Sequence, residues 1–122
     1  MAKKFNLELT LPFPVSVNQY YRAIIRANFC TSILSKRGRE YKQTVAKHIA
    51  DSQKKPTSKP VMVIVKLYPP TKRKYDVDNM LKSLLDSLIG IAYDDDCQIQ
   101  CLAVSKEEVI SGGKCLVQVR EI

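Results

Sequence analysis

Asp76, Asp78, Asn79 and Lys82 stand together in the segment Asp76-Val77-Asp78-Asn79-Met80-Leu81-Lys82, and Asp94, Asp95 and Asp96 follow a short distance on. Carboxylates that converge can hold Mg2+. A held Mg2+ neutralises phosphoryl oxygens, activates a water and steadies a leaving alkoxide, which is what hydrolysis of a phosphodiester requires. Asp76 and Asp78 are two residues apart where a loop enters a helix, so both side chains can face one side of the turn. Asn79 adds a neutral oxygen, and Lys82 lies one turn beyond Asp78, where its cation projects over the same end. Each position also has an ordinary structural explanation. Asp before a helix is a favoured cap, acids in the first turn suit the helix dipole, and an i,i+4 pair such as Asp78 with Lys82 contributes only about 0.2–0.5 kcal/mol. The company these residues keep tilts the balance toward chemistry. Lys72-Arg73-Lys74 lies just upstream and the aspartate run just downstream. Three consecutive aspartates repel one another and form helix or strand poorly, so an ordinary loop gains little from them.

The charge distribution fits an anionic partner. The chain carries a net +8 with a pI near 9.4. Residues 1–74 hold sixteen Lys or Arg against Glu8, Glu40 and Asp51, whereas residues 75–122 hold nine acidic side chains against four basic ones. Basic charge gathers polyanions, and acids concentrated in one part of a basic protein call for a reason. The plain alternative is that basic composition serves solubility and charge runs are solvated faces.

These residues need elements to position them. Phe5, Leu7, Leu9 and Leu11 alternate with polar residues, which predicts a half-buried strand ended by Pro12 and Pro14. Val15–Leu34 shows no clean period; its Tyr21, Arg22, Arg26 and Asn28 suit a nucleic-acid-facing loop, and equally a surface loop. From Ser35, a candidate N-cap, to about Ser52, Tyr41, Val45 and Ile49 recur at helical spacing beneath a basic surface of Lys36, Arg37, Arg39, Lys42 and Lys47. A linker-like loop from Lys54 to Pro60 leads into Val61–Tyr68, apolar on both faces at its start as a central strand is. A second helix runs from Asp76 to Ile89 with Met80, Leu81, Leu84, Leu85, Leu88 and Ile89 on its apolar stripe and Gly90 as C-cap. Gln98–Val109 and Cys115–Ile122 read as a hairpin through Ser111-Gly112-Gly113. The expectation is one α+β domain over residues 1–122, in the order β-α-β-α-β-β, with a mixed sheet of about four strands and two helices.

Other classes recede. A hydrophobic content of 45% with 26% charged residues is globular, and no apolar run approaches the roughly 18 residues of a membrane span. The N-terminus has no apolar signal core behind its lysines, so the cytoplasm is the expected compartment and no membrane partner is expected. Cys30, Cys97, Cys101 and Cys115 form no C-x-x-C pair. Cys97 and Cys101, placed on one predicted strand, stand about 13 Å apart, too far for a shared zinc ion or a disulfide. The lone His48 is given no role.

The acidic segment and its surroundings resemble the RusA family of Holliday junction resolvases. The family's D-x-D-N-x-x-K, Asp, Gly, D-D-x-Q and a Lys in the following strand read here as Asp76-Val77-Asp78-Asn79-Met80-Leu81-Lys82, Asp86, Gly90, Asp95-Asp96-Cys97-Gln98 and Lys106. Leu11-Pro12-Phe13-Pro14 followed by Asn18-Gln19-Tyr20-Tyr21-Arg22 is similar to the family's opening, so the likeness covers nearly the whole chain. It implies a RusA-like fold and a homodimer that binds four-way junctions and nicks two opposed strands with Mg2+, with Mn2+ as substitute, leaving ends that ligase can seal. Carried over position by position, it implies Asp76, Asp78 and Asp96 as the metal-binding and catalytic carboxylates, with Asp95 as the alternative third ligand, and Lys82 as the catalytic lysine.

Distance bears on the third acid. A helix from Asn79 to Ile89 carries the chain about 16 Å from Asp76, and the extended residues from Gly90 to Asp95 cover about 16–20 Å on the way back. The return is nearly taut within one subunit, and a carboxylate donated across a dimer interface is the alternative. Arg37, Arg39 and Lys42, the loop Lys72-Arg73-Lys74, and Arg22 with Tyr21 are expected to hold DNA arms through phosphate contacts and shape. Two competing expectations stand beside a junction nuclease: a branched-DNA binder without catalysis, and a Mg2+ nuclease acting on RNA or flaps.

Overall fold

A computed structural model of the chain describes residues 4–26, 29–50 and 55–122. Asn28, Asp51, Ser52 and Lys54, and the side chain of Arg26, lie outside the described residues.

The strand β4 (Val61–Tyr68) organises the sheet. Val61, Val63, Val65 and Leu67 are buried, and Met62 and Ile64 on the other face are half-buried. Lys66 on that second face is exposed, so one face packs on the core, and the strand's backbone groups are satisfied by a neighbour along each edge. β6 (Lys114–Glu121) pairs with it antiparallel, β5 (Ile99–Lys106) pairs with it parallel, and β1 (Asn6–Leu11) lies antiparallel outside β6, giving the order β1-β6-β4-β5. This is the expected mixed four-stranded sheet. The expected hairpin of the last two strands is not formed: β5 and β6 lie on opposite sides of β4. Pairing them directly would leave one edge of β4 without hydrogen-bond partners, and the Gly112-Gly113 turn instead carries the chain across.

Val15–Leu34 is also not a loop. It holds a single-turn helix α1 (Val17–Tyr20) and an antiparallel ribbon, β2 (Tyr21–Arg26) with β3 (Phe29–Leu34), forming a separate two-stranded sheet. Tyr21, Arg22 and Ala23 are all exposed in succession, so the start of β2 shows no alternation of buried and exposed residues, and the period that reveals a strand in sequence is missing there.

The helix α2 (Lys36–Ala50) begins as expected, with the Gly38 amide donating to Ser35 Oγ at 3.0 Å. Tyr41, Val45 and Ile49 are buried, and the Tyr41 hydroxyl donates to Pro12 O at 2.9 Å, tying the helix to the end of β1. α3 (Val77–Ser87) buries Met80 and Leu84, and Leu88 just beyond it, whereas Ile89 is exposed. The helix stops two residues short of the expected end. Gly90, with φ of 80°, belongs to the turn that follows, where its amide donates to Tyr93 O at 2.7 Å. The core joins these helix residues to Leu7 and Leu11 of β1, the inward valines of β4, and Cys115, Val117 and Val119 of β6. Cys97 lies in a single 3-10 turn ahead of β5 rather than on the strand. Among the described residues no helix is long and apolar enough to cross a membrane.

Candidate active site and nucleic-acid groove

Asp76 occupies the N-cap position of α3 with extended backbone (φ −94°, ψ 136°), yet its side chain caps nothing. Asp78 sits in the first turn, and both carboxylates are exposed. Neither side chain makes a hydrogen bond or ion pair among the described residues. The ordinary explanation for an Asp before a helix therefore fails at Asp76, and both carboxylates are exposed without a partner among the described residues. Their oxygens are hard donors of the kind Mg2+ takes, an ion commonly bound by one or two carboxylates together with waters and substrate phosphates.

Asp76 opens onto a groove of about 1010 Å3 lined also by Asn79, the basic loop Lys72, Arg73 and Lys74, Arg37 of α2, and Lys106 of β5. The parallel register sets Lys106 beside Leu67, at the end of β4 where the basic loop starts. Its Nζ donates to Tyr75 O at 2.6 Å and lies 4.5 Å from the Tyr75 ring centroid, while Phe13 meets that ring edge-on at 5.7 Å. Burial pushes the Tyr75 phenol up, and its hydroxyl has no partner among the described residues. Arg37 donates to Gln19 Oε1 at 2.5 Å, which links α2 to α1 at the groove wall. Of the residues expected to hold DNA, Lys72, Arg73, Lys74 and Arg37 line this groove. Arg22 and Tyr21 lie on the ribbon, and on α2 Arg39 donates to Leu34 O at 2.8 Å and Lys42 is half-buried.

The acidic run is held by Thr57. The Thr57 amide donates to Ala92 O at 3.1 Å, its carbonyl accepts the Asp94 amide at 3.3 Å and the Gln98 side-chain amide at 2.9 Å, and its hydroxyl donates to Glu121 Oε1 at 2.6 Å. Asp95 and Gln98 form a reciprocal capping box around the 3-10 turn Asp96–Gln98. The Asp95 carboxylate is held below its usual range, first by the Cys97 amide and then by a hydrogen bond with Asp96. Asp96 is pushed above the usual range, first by that hydrogen bond with Asp95, then by partial burial and the charges of Asp95 and Asp86, with Lys82 pulling the other way.

Lys82 does not pair with Asp78. Its Nζ lies 3.1 Å from Asp86 Oδ1, one turn further along the helix, and Asp86 Oδ2 accepts the buried Tyr20 hydroxyl at 3.3 Å. The bond with Asp86 raises the Lys82 ammonium, against a smaller opposing effect of burial. Asp86 and Lys106 stand in the sequence as part of the family's pattern with no role attached to either. The i,i+4 rule points to Asp86 as readily as to Asp78, but only the fold brings Tyr20 to it and Lys106 to the basic loop.

Among the described residues no three acidic, cysteine or histidine side chains are close enough to hold one ion. Lys82, Asp86, Asp95 and Asp96 share one electrostatic neighbourhood, and Asp76 belongs to the basic groove. The helix start thus supplies two carboxylates, and Asp96 lies within electrostatic reach of Lys82, one turn beyond Asp78.

The chain matches the family model described as endodeoxyribonuclease RusA over residues 12–120. It is similar to the crossover junction endodeoxyribonuclease of Enterobacteria phage 82, with 31% identity over 116 residues and 93% of each chain covered. It is 30% identical to that of Escherichia coli K12 over the same share, and 29% identical to that of Enterobacteria phage HK97 over 119 residues and 94% of each chain. The family match over residues 12–120 and the extent of these likenesses place the chain in the RusA endodeoxyribonuclease family.

Proposed function

We propose that this protein is a structure-selective DNA endonuclease that resolves four-way junctions by paired, Mg2+-dependent nicks. The observation that carries this reading is the groove in which Asp76 faces Lys72, Arg73, Lys74, Arg37 and Lys106. A phosphodiester backbone drawn in by these cations lies against carboxylates that repel it, an arrangement a pure DNA binder would gain by losing. The names of the relatives, which act on crossover junctions, support the choice of substrate.

Asp76 and Asp78 would hold the ion, with Asp96 as the third carboxylate and Mn2+ as substitute metal. Bound there, Mg2+ would neutralise the phosphoryl oxygens and favour the ionised form of a water. The chain's own contribution is positional. Cations of the groove grip phosphates on either side of the cut, and Lys82 offsets charge developing on the phosphate. Asp96, within electrostatic reach of Lys82 on the same helix, would complete the site either from the same chain or across the interface of a homodimer.

The test is strand cleavage of a synthetic four-way junction beside matched linear duplex and RNA, with Mg2+ or EDTA. Paired nicks confined to the junction and abolished by EDTA support the reading. Tight junction binding without cleavage under any metal returns the protein to the class of binding modules, and equal cutting of linear DNA or RNA keeps the chemistry and discards the junction.

A further inference from the structure

Tyr20 and Asp86 are 66 residues apart in the chain, and the Tyr20 hydroxyl reaches Asp86 Oδ2 at 3.3 Å while Asp86 Oδ1 meets Lys82 Nζ at 3.1 Å. An i,i+4 ion pair on a helix is ordinarily a loose surface contact. This one differs in two ways. The Asp86 side chain is only 13% exposed against 45% for Lys82, and a fully buried phenol takes its second oxygen. Tyr20 is itself fixed from several sides. Its carbonyl accepts the Ser35 amide at 2.9 Å, and the Tyr21 ring meets its ring edge-on at 4.9 Å. α2 presses on it through Gly38, where a Cβ would stand 2.7 Å from Tyr20 O and 2.9 Å from its ring. The phenol has no freedom to follow Asp86, so Asp86 must come to it.

We propose that Tyr20 and Asp86 are positioning residues for Lys82: the buried phenol fixes the carboxylate, and the carboxylate holds the ammonium of a flexible four-carbon side chain in one place. This rests on the cleavage reading for the role of Lys82, while the ordering of Lys82 stands on geometry alone. Lysine is a point charge on a stem with many rotamers, and its effect on a transition state depends on being in place before the reaction. α1, distant in sequence from the acidic motif, thereby acts on the reaction without touching DNA through this contact.

Tyr20→Phe deletes one oxygen and keeps the ring, so it tests the contact without opening the core; Asp86→Asn is the companion. Two readouts are taken: the single-turnover rate on a saturating four-way junction, and the mobility of the Lys82 ammonium by 15N NMR. Each variant is expected to lower the rate about tenfold, the equivalent of one hydrogen bond to a charged group, with junction Kd unchanged and the Lys82 ammonium more mobile. Val119→Ala in the sheet, which lowers thermal stability at a distance, is expected to change neither readout. A Tyr20→Phe protein that cuts at the wild-type rate with Lys82 as ordered as before overturns the proposal, as does a Val119→Ala protein that loosens Lys82 equally. Should the wild type cut no junction, the cleavage reading fails, and the NMR readout alone decides whether Tyr20 orders Lys82.

Discussion

Lys106 donates to the carbonyl of Tyr75 at 2.6 Å, and Tyr75 is the residue immediately before Asp76. The last residue of an edge strand therefore braces the loop that delivers the first carboxylate of the site. It does so with the same ammonium that lines the groove. Removing that ammonium withdraws a cation from the groove and frees the backbone beside Asp76 together.

Salt dependence separates the two roles. Junction affinity should fall steeply with salt. Lys72→Ala should lower the slope of log K against log salt by about one phosphate contact. Lys106→Ala should do the same and also lower the cleavage rate at saturation. Binding titrations at several salt concentrations check the first effect, and a loss of affinity independent of salt would contradict it.

Subunit mixing reads the origin of the third acid. If Asp96 of one copy completes the site of the other, mixing inactive Asp76→Asn and Asp96→Asn proteins yields dimers with one intact site, and nicking returns. If each chain builds its own site, no mixture regains activity, because every site keeps one defect. Asp95→Asn in place of Asp96→Asn tests the alternative ligand in the same assay.

Gly38 carries a packing prediction independent of function. A Cβ there would stand 2.7 Å from the backbone oxygen of Tyr20, and backbone cannot swing aside as a flexible side chain does. Gly38→Ala should destabilise the fold by about 1–3 kcal/mol despite the better helix propensity of alanine. Thermal unfolding checks it, and an unchanged or higher Tm would show that α2 yields without cost.

Thr57 links stability to pH. Its hydroxyl, followed by the Phe5 backbone, holds the Glu121 carboxyl below the ordinary value of 4.5. A depressed folded-state value contributes stability that is present above the unfolded value and lost as pH falls through the folded one. Thr57→Val should therefore lower Tm at neutral pH, and part of the gap from wild type should close as the pH drops below 4.5. A gap that is constant with pH would remove Glu121 from the explanation.

The sequence reveals elements wherever one face is buried. Val61–Tyr68 reads as a central strand and proves to be one, and Tyr41, Val45 and Ile49 mark the buried side of α2. It conceals the ribbon Tyr21–Leu34, where Tyr21, Arg22 and Ala23 are exposed in succession and show no alternation. It also misleads at Gly112-Gly113, because a turn signal says where the chain bends and not which strand it meets next. Within the candidate site, Asp76, Asp78, Lys82 and the aspartate run stand out in the sequence by type and spacing, and the family resemblance supplies the roles expected of them. The partner of Lys82 is not, since Asp78 and Asp86 are equally spaced from it and only a tyrosine 66 residues from Asp86 decides between them.

The central claim is that the start of α3, where Asp76 and Asp78 face outward unpaired, is where the strand is cut. Asp78→Asn keeps size and helix position while removing one charge. Its most direct test is single-turnover cleavage of a four-way junction in Mg2+, with junction Kd measured alongside. The expected result is a loss of cleavage of more than about 100-fold, since even the hydrogen-bond partners of metal ligands commonly contribute 10–100-fold, with junction binding retained or tightened. Cleavage by Asp78→Asn at the wild-type rate, with binding intact, would contradict the account and move the cutting site elsewhere on the protein.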